Sequence, residues 1–209
     1  MSAQLIDWPH LVREPKEGAS HYLLTLHGTG GNETEVATLA QHLDPTAGVI
    51  SPRGRVSEHG MTRWFARVAE GVFDVDDVIA RAQELAAFIR AAREQYGIQD
   101  APITAVGFSN GANIGTATAL LHPDALQRVI AFSGMYPFGD RDPIGDASSV
   151  ELMLLNGAAD PMAPTASVEH LARVAESHGA SVERHIRAGG HGIDMSDVAA
   201  AREWLAARS

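Results

Sequence analysis

The sequence predicts an α/β domain, a mainly parallel sheet assembled from βα units. Three observations carry the prediction. Short apolar, β-rich runs alternate with amphipathic stretches, the strand-like runs end in glycine-rich turns, and no linker-like tract or internal repeat divides the chain. At 209 residues the chain can bury roughly 70% of the surface its unfolded form exposes, so a core alone can stabilise it. It has no cysteine, which removes disulfide staples, thiolate metal clusters and a cysteine nucleophile together. With 45% hydrophobic and 20% charged residues it belongs with globular proteins, and residues 1–209 read as a single domain.

Tyr22 to Leu26 reads as a buried strand running into the turn His27-Gly28-Thr29-Gly30-Gly31. Gly48 to Ser51 is a second strand, ended by Pro52-Arg53-Gly54. A connection of about twenty residues follows, holding Met61, Trp64, Phe65 and Phe73; a loop of that length is functional or disordered, and its aromatic content argues against disorder. From Val75 the apolar positions Val78, Ile79, Ala82, Leu85, Ala86, Ile89 and Ala92 recur every three or four residues. That spacing predicts a helix with one buried face, opened by Asp74 as N-cap and stopped at Gly97. Ile103 to Val106 is the next strand and passes through Gly107-Phe108-Ser109-Asn110-Gly111 into a small-residue helix, Ala112 to Leu121. Strands at Arg128 to Phe132 and Glu151 to Leu155, a helix from Thr165 to His178, a strand from Ser181 to Arg187 and a terminal helix near Trp204-Leu205 complete the alternation.

Charge excludes several classes of function. Sixteen Lys and Arg against 26 Asp and Glu leave a net charge of −10, and the basic residues are scattered singly, so neither nucleic acid nor an anionic membrane is an expected partner. Lys16, the only lysine, sits in the polar run Arg13-Glu14-Pro15-Lys16-Glu17, which suits neither a phosphate-binding loop nor a Schiff base. Met1 to His10 lacks a basic and then apolar leader pattern and no 18-residue apolar run occurs, so a cytoplasmic location without membrane insertion is expected.

Gly107-Phe108-Ser109-Asn110-Gly111 is a G-x-S-x-G sequence between a strand and a helix. A serine pushed out of the sheet on so tight a turn needs neighbours without bulk, which makes Ser109 the candidate nucleophile. Serine needs a base to take its proton and a carboxylate to orient that base, in the chain order acid, then histidine. Asp160 follows the Leu152 to Leu155 strand in Asn156-Gly157-Ala158-Ala159-Asp160-Pro161; its alternative is a turn aspartate. His191, in Gly189-Gly190-His191-Gly192, follows the last strand, and most of the ten histidines are expected to be surface or capping residues. Asp194 is the competing carboxylate. The oxyanion would be held by the backbone N–H of Asn110 and of Thr29. Trp64, Phe65, Phe73, Met135, Tyr136 and Met162 are the expected hydrophobic wall of a substrate pocket, with core packing as the alternative for each. No metal or cofactor is expected.

With these residues in place the chain resembles the α/β-hydrolase superfamily, and within it the lidless phospholipase/carboxylesterase family that includes acyl-protein-thioesterase-like enzymes. It is most similar to bacterial carboxylesterases associated with hydroquinone resistance. The resemblance is carried by His27-Gly28-Thr29-Gly30-Gly31-Asn32-Glu33, Ser51-Pro52-Arg53-Gly54, Gly71-Val72-Phe73-Asp74, Gly107 through Ile114, Ser133-Gly134-Met135, Asn156-Gly157 with Asp160-Pro161, and Gly190-His191-Gly192. It implies helices on both faces of the sheet, no separate cap domain, Ser109 as nucleophile, Asp160 as acid and His191 as base. It also implies a cytoplasmic serine esterase acting on a small, short-chain ester, with a thioesterase or lysophospholipase using the same triad as alternatives. Acyl-protein thioesterases commonly carry Gln where this chain has Asn110, which weighs against lipidated proteins as substrates. A non-catalytic small-molecule-binding protein on the same fold is the rival from another class, opposed by the presence of all three triad residues. The expected partner is the ester itself, and self-association as a homodimer stays open.

Overall fold

The computed structural model describes residues 8–69 and 71–208. In chain order its elements are β1 (His10–Arg13), β2 (Tyr22–Leu26), α1 (Glu33–Leu43), β3 (Gly48–Pro52), β4 (Val56–Glu58), β5 (Met61–Arg63), β6 (Arg67–Ala69), β7 (Val72–Phe73), α2 (Val75–Gln95), β8 (Ile103–Phe108), α3 (Asn110–Leu121), β9 (Arg128–Phe132), β10 (Glu151–Gly157), α4 (Thr165–Ser177), β11 (Ser181–Arg187) and α5 (Met195–Ala206). Seven strands form one sheet in the order β1-β3-β2-β8-β9-β10-β11. Only β1 runs antiparallel, pairing with β3; every other pairing is parallel.

The central strands read as unbroken apolar runs because both sheet faces are covered. All five residues of β2 are buried. Their side chains alternate between two cores: Leu24 belongs to the one that includes residues of α2, α3 and α4, whereas Leu23 belongs to the one that includes residues of α1 and α5. This is the period of two expected of a strand, and it distributes helices over both faces. The outermost strand β11, Ser-Val-Glu-Arg-His-Ile-Arg, keeps charged side chains on an edge that would otherwise invite pairing.

Most elements fall where the sequence puts them. Asp74 caps α2, accepting from the Asp77 N–H at 3.2 Å, and Gly97 leaves the helix at φ +65°. Six elements are additional: strand β1, helix α1 and the four short strands β4 to β7. Strand β1 is half-buried along its length and has no alternation to announce it. Helix α1 lies between β2 and β3, where no helix was expected. Its signals were present: Asn32 accepts from the Thr34 and Glu35 N–H groups, and Val36, Ala37, Ala40 and Leu43 form the buried face. The long connection before α2 is not a loop but two small antiparallel hairpins, β4-β5 and β6-β7. Among the described residues no helix is long and apolar enough to cross a membrane.

The Asn32 cap yields a direct expectation. Asn32→Ala should cost about 1 kcal/mol of stability, seen as a melting temperature lower by roughly 2–4 °C, with the circular dichroism of the folded state unchanged.

Candidate active site

Residue 109 stands where β8 must turn sharply into α3. Ser109 has φ +52° and ψ −115°, a conformation that costs an L-residue about 1–3 kcal/mol and is held only by its surroundings. The two glycines of the motif make the turn sterically feasible. A Cβ on Gly107 would meet the Gly111 carbonyl oxygen at 2.5 Å, and one on Gly111 would overlap the carbonyl oxygens of Leu26 and His27. The elbow is thus pressed against the end of β2. Ser109 occupies the N-cap position of α3, yet its hydroxyl makes no capping bond.

The other two candidates stand at neighbouring strand ends. Nδ1 of His191 donates to Oδ2 of Asp160 at 2.8 Å. Oδ1 of Asp160 accepts from the backbone N–H of Met162 at 2.8 Å and of Ala163 at 3.1 Å. The turn role and the imidazole-orienting role therefore coexist, on different oxygens of one buried carboxylate. Asp194 is engaged elsewhere, capping α5 through the Ser196 and Asp197 N–H groups. The His191 ring lies beside Phe108, centroids 5.1 Å apart. Among the described residues the Ser109 hydroxyl has no hydrogen-bond partner, so its link to His191 is open in this structure.

Three residues given no role of their own in the sequence hold the His191 loop, and two of them, Ser133 and Gly157, lie in motifs that carry the family resemblance. Ser133, itself at φ +50°, donates to the Gly192 carbonyl at 2.9 Å and accepts from the Gly192 N–H at 3.2 Å. Arg187 donates to the carbonyls of Gly190 and Gly192, while its Nε is fixed by the fully buried Asp197 at 2.6 Å. Gly157, at the end of β10, lets the loop approach, since a Cβ there would overlap the carbonyl oxygens of Gly189 and Gly190.

A cavity of about 690 Å³ opens over the elbow. Thr29, Ser109, Asn110, Phe73, Met135 and Met162 line it, and Met61, Arg63 and Arg67 complete one side. The expectation for Trp64, Phe65 and Tyr136 needs correction: all three are buried in the core rather than lining the cavity. Phe65 packs edge-on against Phe73. The Tyr136 hydroxyl donates to the Arg141 carbonyl, and burial pushes that phenol up to about 12.

Trp64 has a different job. Its indole N–H donates to the His27 carbonyl at 2.8 Å, and its backbone N–H donates to Oδ1 of Asn110 at 2.7 Å. Just before it, the Thr62 carbonyl accepts from the Gly30 N–H, and the Arg63 guanidinium donates to the Thr29 hydroxyl at 2.9 Å. One strand of the first hairpin therefore braces both the turn after β2 and the start of α3. The backbone N–H groups of Thr29 and Asn110 have no partner among the described residues.

His27, quoted in the sequence only as the first residue of the turn after β2 and given no role of its own, is 1% exposed. Its Nε2 accepts from the Gly54 N–H at 2.9 Å, so the proton sits on Nδ1, which donates to the Gly28 carbonyl at 2.7 Å. That carbonyl shares a trans peptide with the Thr29 N–H, and the two groups point in opposite directions. Anchoring one aims the other. Burial, above all, pushes the His27 imidazole below its ordinary value.

Strand-end position, a strained serine after a parallel strand and a carboxylate–imidazole pair on the following strands together define an α/β hydrolase. The chain belongs to the phospholipase/carboxylesterase family, whose pattern it matches over residues 9–209, and so to the carboxylesterase-type hydrolases. It is 36% identical over 189 residues to MhqD of Bacillus subtilis, assigned as a hydrolase, covering 90% of this chain and 94% of that one. A carboxylesterase from Bacillus cereus superposes with TM-score 0.90 at 34% identity, covering 99% of this chain and all of the other. One from Mesorhizobium loti gives TM-score 0.88 at 31% identity over 95% and 94% of the two chains. Among the described residues no group of three His, Asp or Glu side chains is arranged to hold a metal ion.

The depressed His27 value fixes the sign of a stability effect. A histidine kept neutral by the fold contributes stability that is present above its unfolded value of about 6.5 and lost as pH falls through the folded one. His27→Phe, which keeps a ring but neither hydrogen bond, should cost roughly 1–3 kcal/mol near pH 7.5. The gap in melting temperature between the two proteins should narrow toward pH 5; a gap independent of pH would refute the neutral, two-bonded histidine.

Proposed function

We propose that this protein hydrolyses carboxylic esters of small, short-chain acyl groups through an acyl-enzyme on Ser109. The observation that carries the reading is the Ser109 hydroxyl, held on a strained turn, excluded from capping its own helix and facing the same cavity as two unpaired backbone donors. Elsewhere a serine at a helix start caps it; here that stabilisation is given up.

Each residue then has a chemical task. His191 takes the Ser109 proton on Nε2 as Oγ attacks the ester carbonyl carbon. Asp160, bonded to Nδ1, fixes the ring tautomer and stabilises the imidazolium. The negative charge gathering on the carbonyl oxygen is met by the N–H groups of Thr29 and Asn110, the latter at the positive end of α3. The imidazolium returns its proton to the departing alcohol oxygen, and water, activated by the same imidazole, cleaves the acyl-enzyme. The open Ser109–His191 link suits this sequence, because catalytic hydrogen bonds often tighten only when substrate closes on them. His27 acts as a positioning residue: it never meets substrate, but it fixes the peptide whose N–H receives the oxyanion.

Ser109→Ala should remove both fluorophosphonate labelling and turnover of a short-chain nitrophenyl ester while the protein stays folded; wild-type-like turnover would end the serine mechanism. Asp160→Asn should lower kcat about 10⁴-fold, and a loss below tenfold would assign the orienting carboxylate elsewhere. His27→Phe should lower kcat about ten- to hundredfold at nearly unchanged KM, with partial recovery in His27→Asn, whose amide can still donate to the Gly28 carbonyl.

A further inference from the structure

A second cavity, of about 460 Å³, lies on the other side of the turn that follows β2. Its walls include Phe108, Val36 and Leu39 of α1, and Ile193 from the stretch just beyond His191. Thr29 lines both this groove and the cavity over Ser109. We propose that the groove receives the leaving alcohol of the ester, an uncharged alkyl or aryl alcohol, while the larger cavity holds the acyl group. The inference rests on the roles given above to Ser109 and His191.

The direction of bond breaking selects the groove. As the Ser109 Oγ–carbon bond forms and collapses forward, the carbon–oxygen bond to the alcohol breaks. Its electron pair goes to the alcohol oxygen, which takes the proton that His191 removed from Ser109. The alcohol must therefore leave on the imidazole side. That side is the groove, because the His191 ring lies against Phe108 and Ile193 follows two residues later. The acyl side is the larger cavity: the carbonyl oxygen is held between Thr29, shared by both spaces, and Asn110, which with Ser109 lines the larger cavity and not the groove.

Lining chemistry gives the class of alcohol. Val36, Leu39, Phe108 and Ile193 give the groove an apolar wall, the Gly28 to Gly31 turn supplies the rest of its lining, and no cationic side chain lines it to hold a phosphate. His27 at its edge is held neutral by burial. Glu35 is the one acidic side chain on the wall among the described residues, and it forms no ion pair there. An acidic side chain on the wall disfavours anionic alcohols, including the phosphate-bearing headgroup of a lysophospholipid.

The test varies the alcohol at constant leaving-group acidity, using ethyl, butyl and hexyl acetates and a butyl acetate bearing a terminal sulfonate. In the wild type kcat/KM should rise about tenfold from ethyl to hexyl acetate and fall sharply for the sulfonate. Leu39→Trp, which fills the groove, and independently Ile193→Ala, which opens its wall, should bring the hexyl-to-ethyl ratio toward one. Neither should move the hexanoate-to-acetate ratio measured on ethyl esters, which Met162→Trp in the larger cavity should change. Glu35→Gln should raise kcat/KM for the sulfonate ester several-fold. A wild-type ratio near one, a ratio insensitive to both groove variants, or alcohol and acyl preferences that shift together would each overturn the subsite. Hydrolysis that survives Ser109→Ala would instead overturn the mechanism beneath it, whereas Ser109-dependent hydrolysis blind to the alcohol would remove the subsite alone.

Discussion

The close approach of the β8–α3 elbow to the end of β2 is the constraint on which the rest of this site depends. Parallel strands about 4.8 Å apart leave no room for a side chain where the first turn of α3 crosses the end of its neighbour. Gly111 therefore sits directly on the Leu26 and His27 carbonyls. Once that contact is made, the first turn of α3 and the turn after β2 are packed directly on each other, and Trp64 bonds to both. The N–H groups of Thr29 and Asn110, unpaired among the described residues, then share a frame of reference although eighty residues of chain lie between them. Preorganised donors cost nothing to align when charge develops, which is the reason such packing matters for chemistry.

The hairpin insertion strengthens that frame instead of walling the substrate. Trp64 looks like a pocket residue in the sequence because it is large, apolar and located in a long connection. Its indole N–H, however, must find an acceptor when buried, and the His27 carbonyl provides one while the ring packs on the His27 imidazole at 5.1 Å. The same strand places Arg63, 3% exposed, with its guanidinium on the Thr29 hydroxyl. Glu58 lies within 3.7 Å of that guanidinium, so its charge does not enter the core uncompensated.

How much of this was legible follows from the range over which each feature is determined. The βα alternation, the Asp74 cap and the Gly97 stop are local, and local pattern suffices for them. The elbow is legible too, because two glycines flanking a serine encode a steric requirement of that turn. Helix α1 carried a local signal in Asn32 and the spacing of Val36, Ala40 and Leu43, but it follows a glycine-rich turn that draws attention first. Strand β1 has no such signal: its existence depends on β3 offering an edge. Phe65 and Tyr136 differ from Phe73 and Met135 only in which way the backbone faces them, and hydrophobicity alone does not encode that. His27 and Ser133 are hidden for a similar reason, since their partners, Gly54 and Gly192, are distant in sequence and contribute only backbone atoms.

Asp160 illustrates why turn and catalytic readings of a strand-end residue need not compete. A carboxylate has two oxygens and several lone pairs, and the turn after β10 uses only one of them. Those two backbone donors do more than close a turn. They bond a charged acceptor, which makes them stronger than neutral hydrogen bonds, and they stop the carboxylate from rotating. With Oδ1 held, Oδ2 has one direction left, and the His191 Nδ1 stands along it at 2.8 Å. The imidazole is in turn confined by a loop that Ser133 and Arg187 tie down through Gly192. Orientation thus passes from backbone to carboxylate to ring, each step using atoms that the local fold has already fixed, so the placement of the His191 imidazole inherits its geometry from an ordinary aspartate turn.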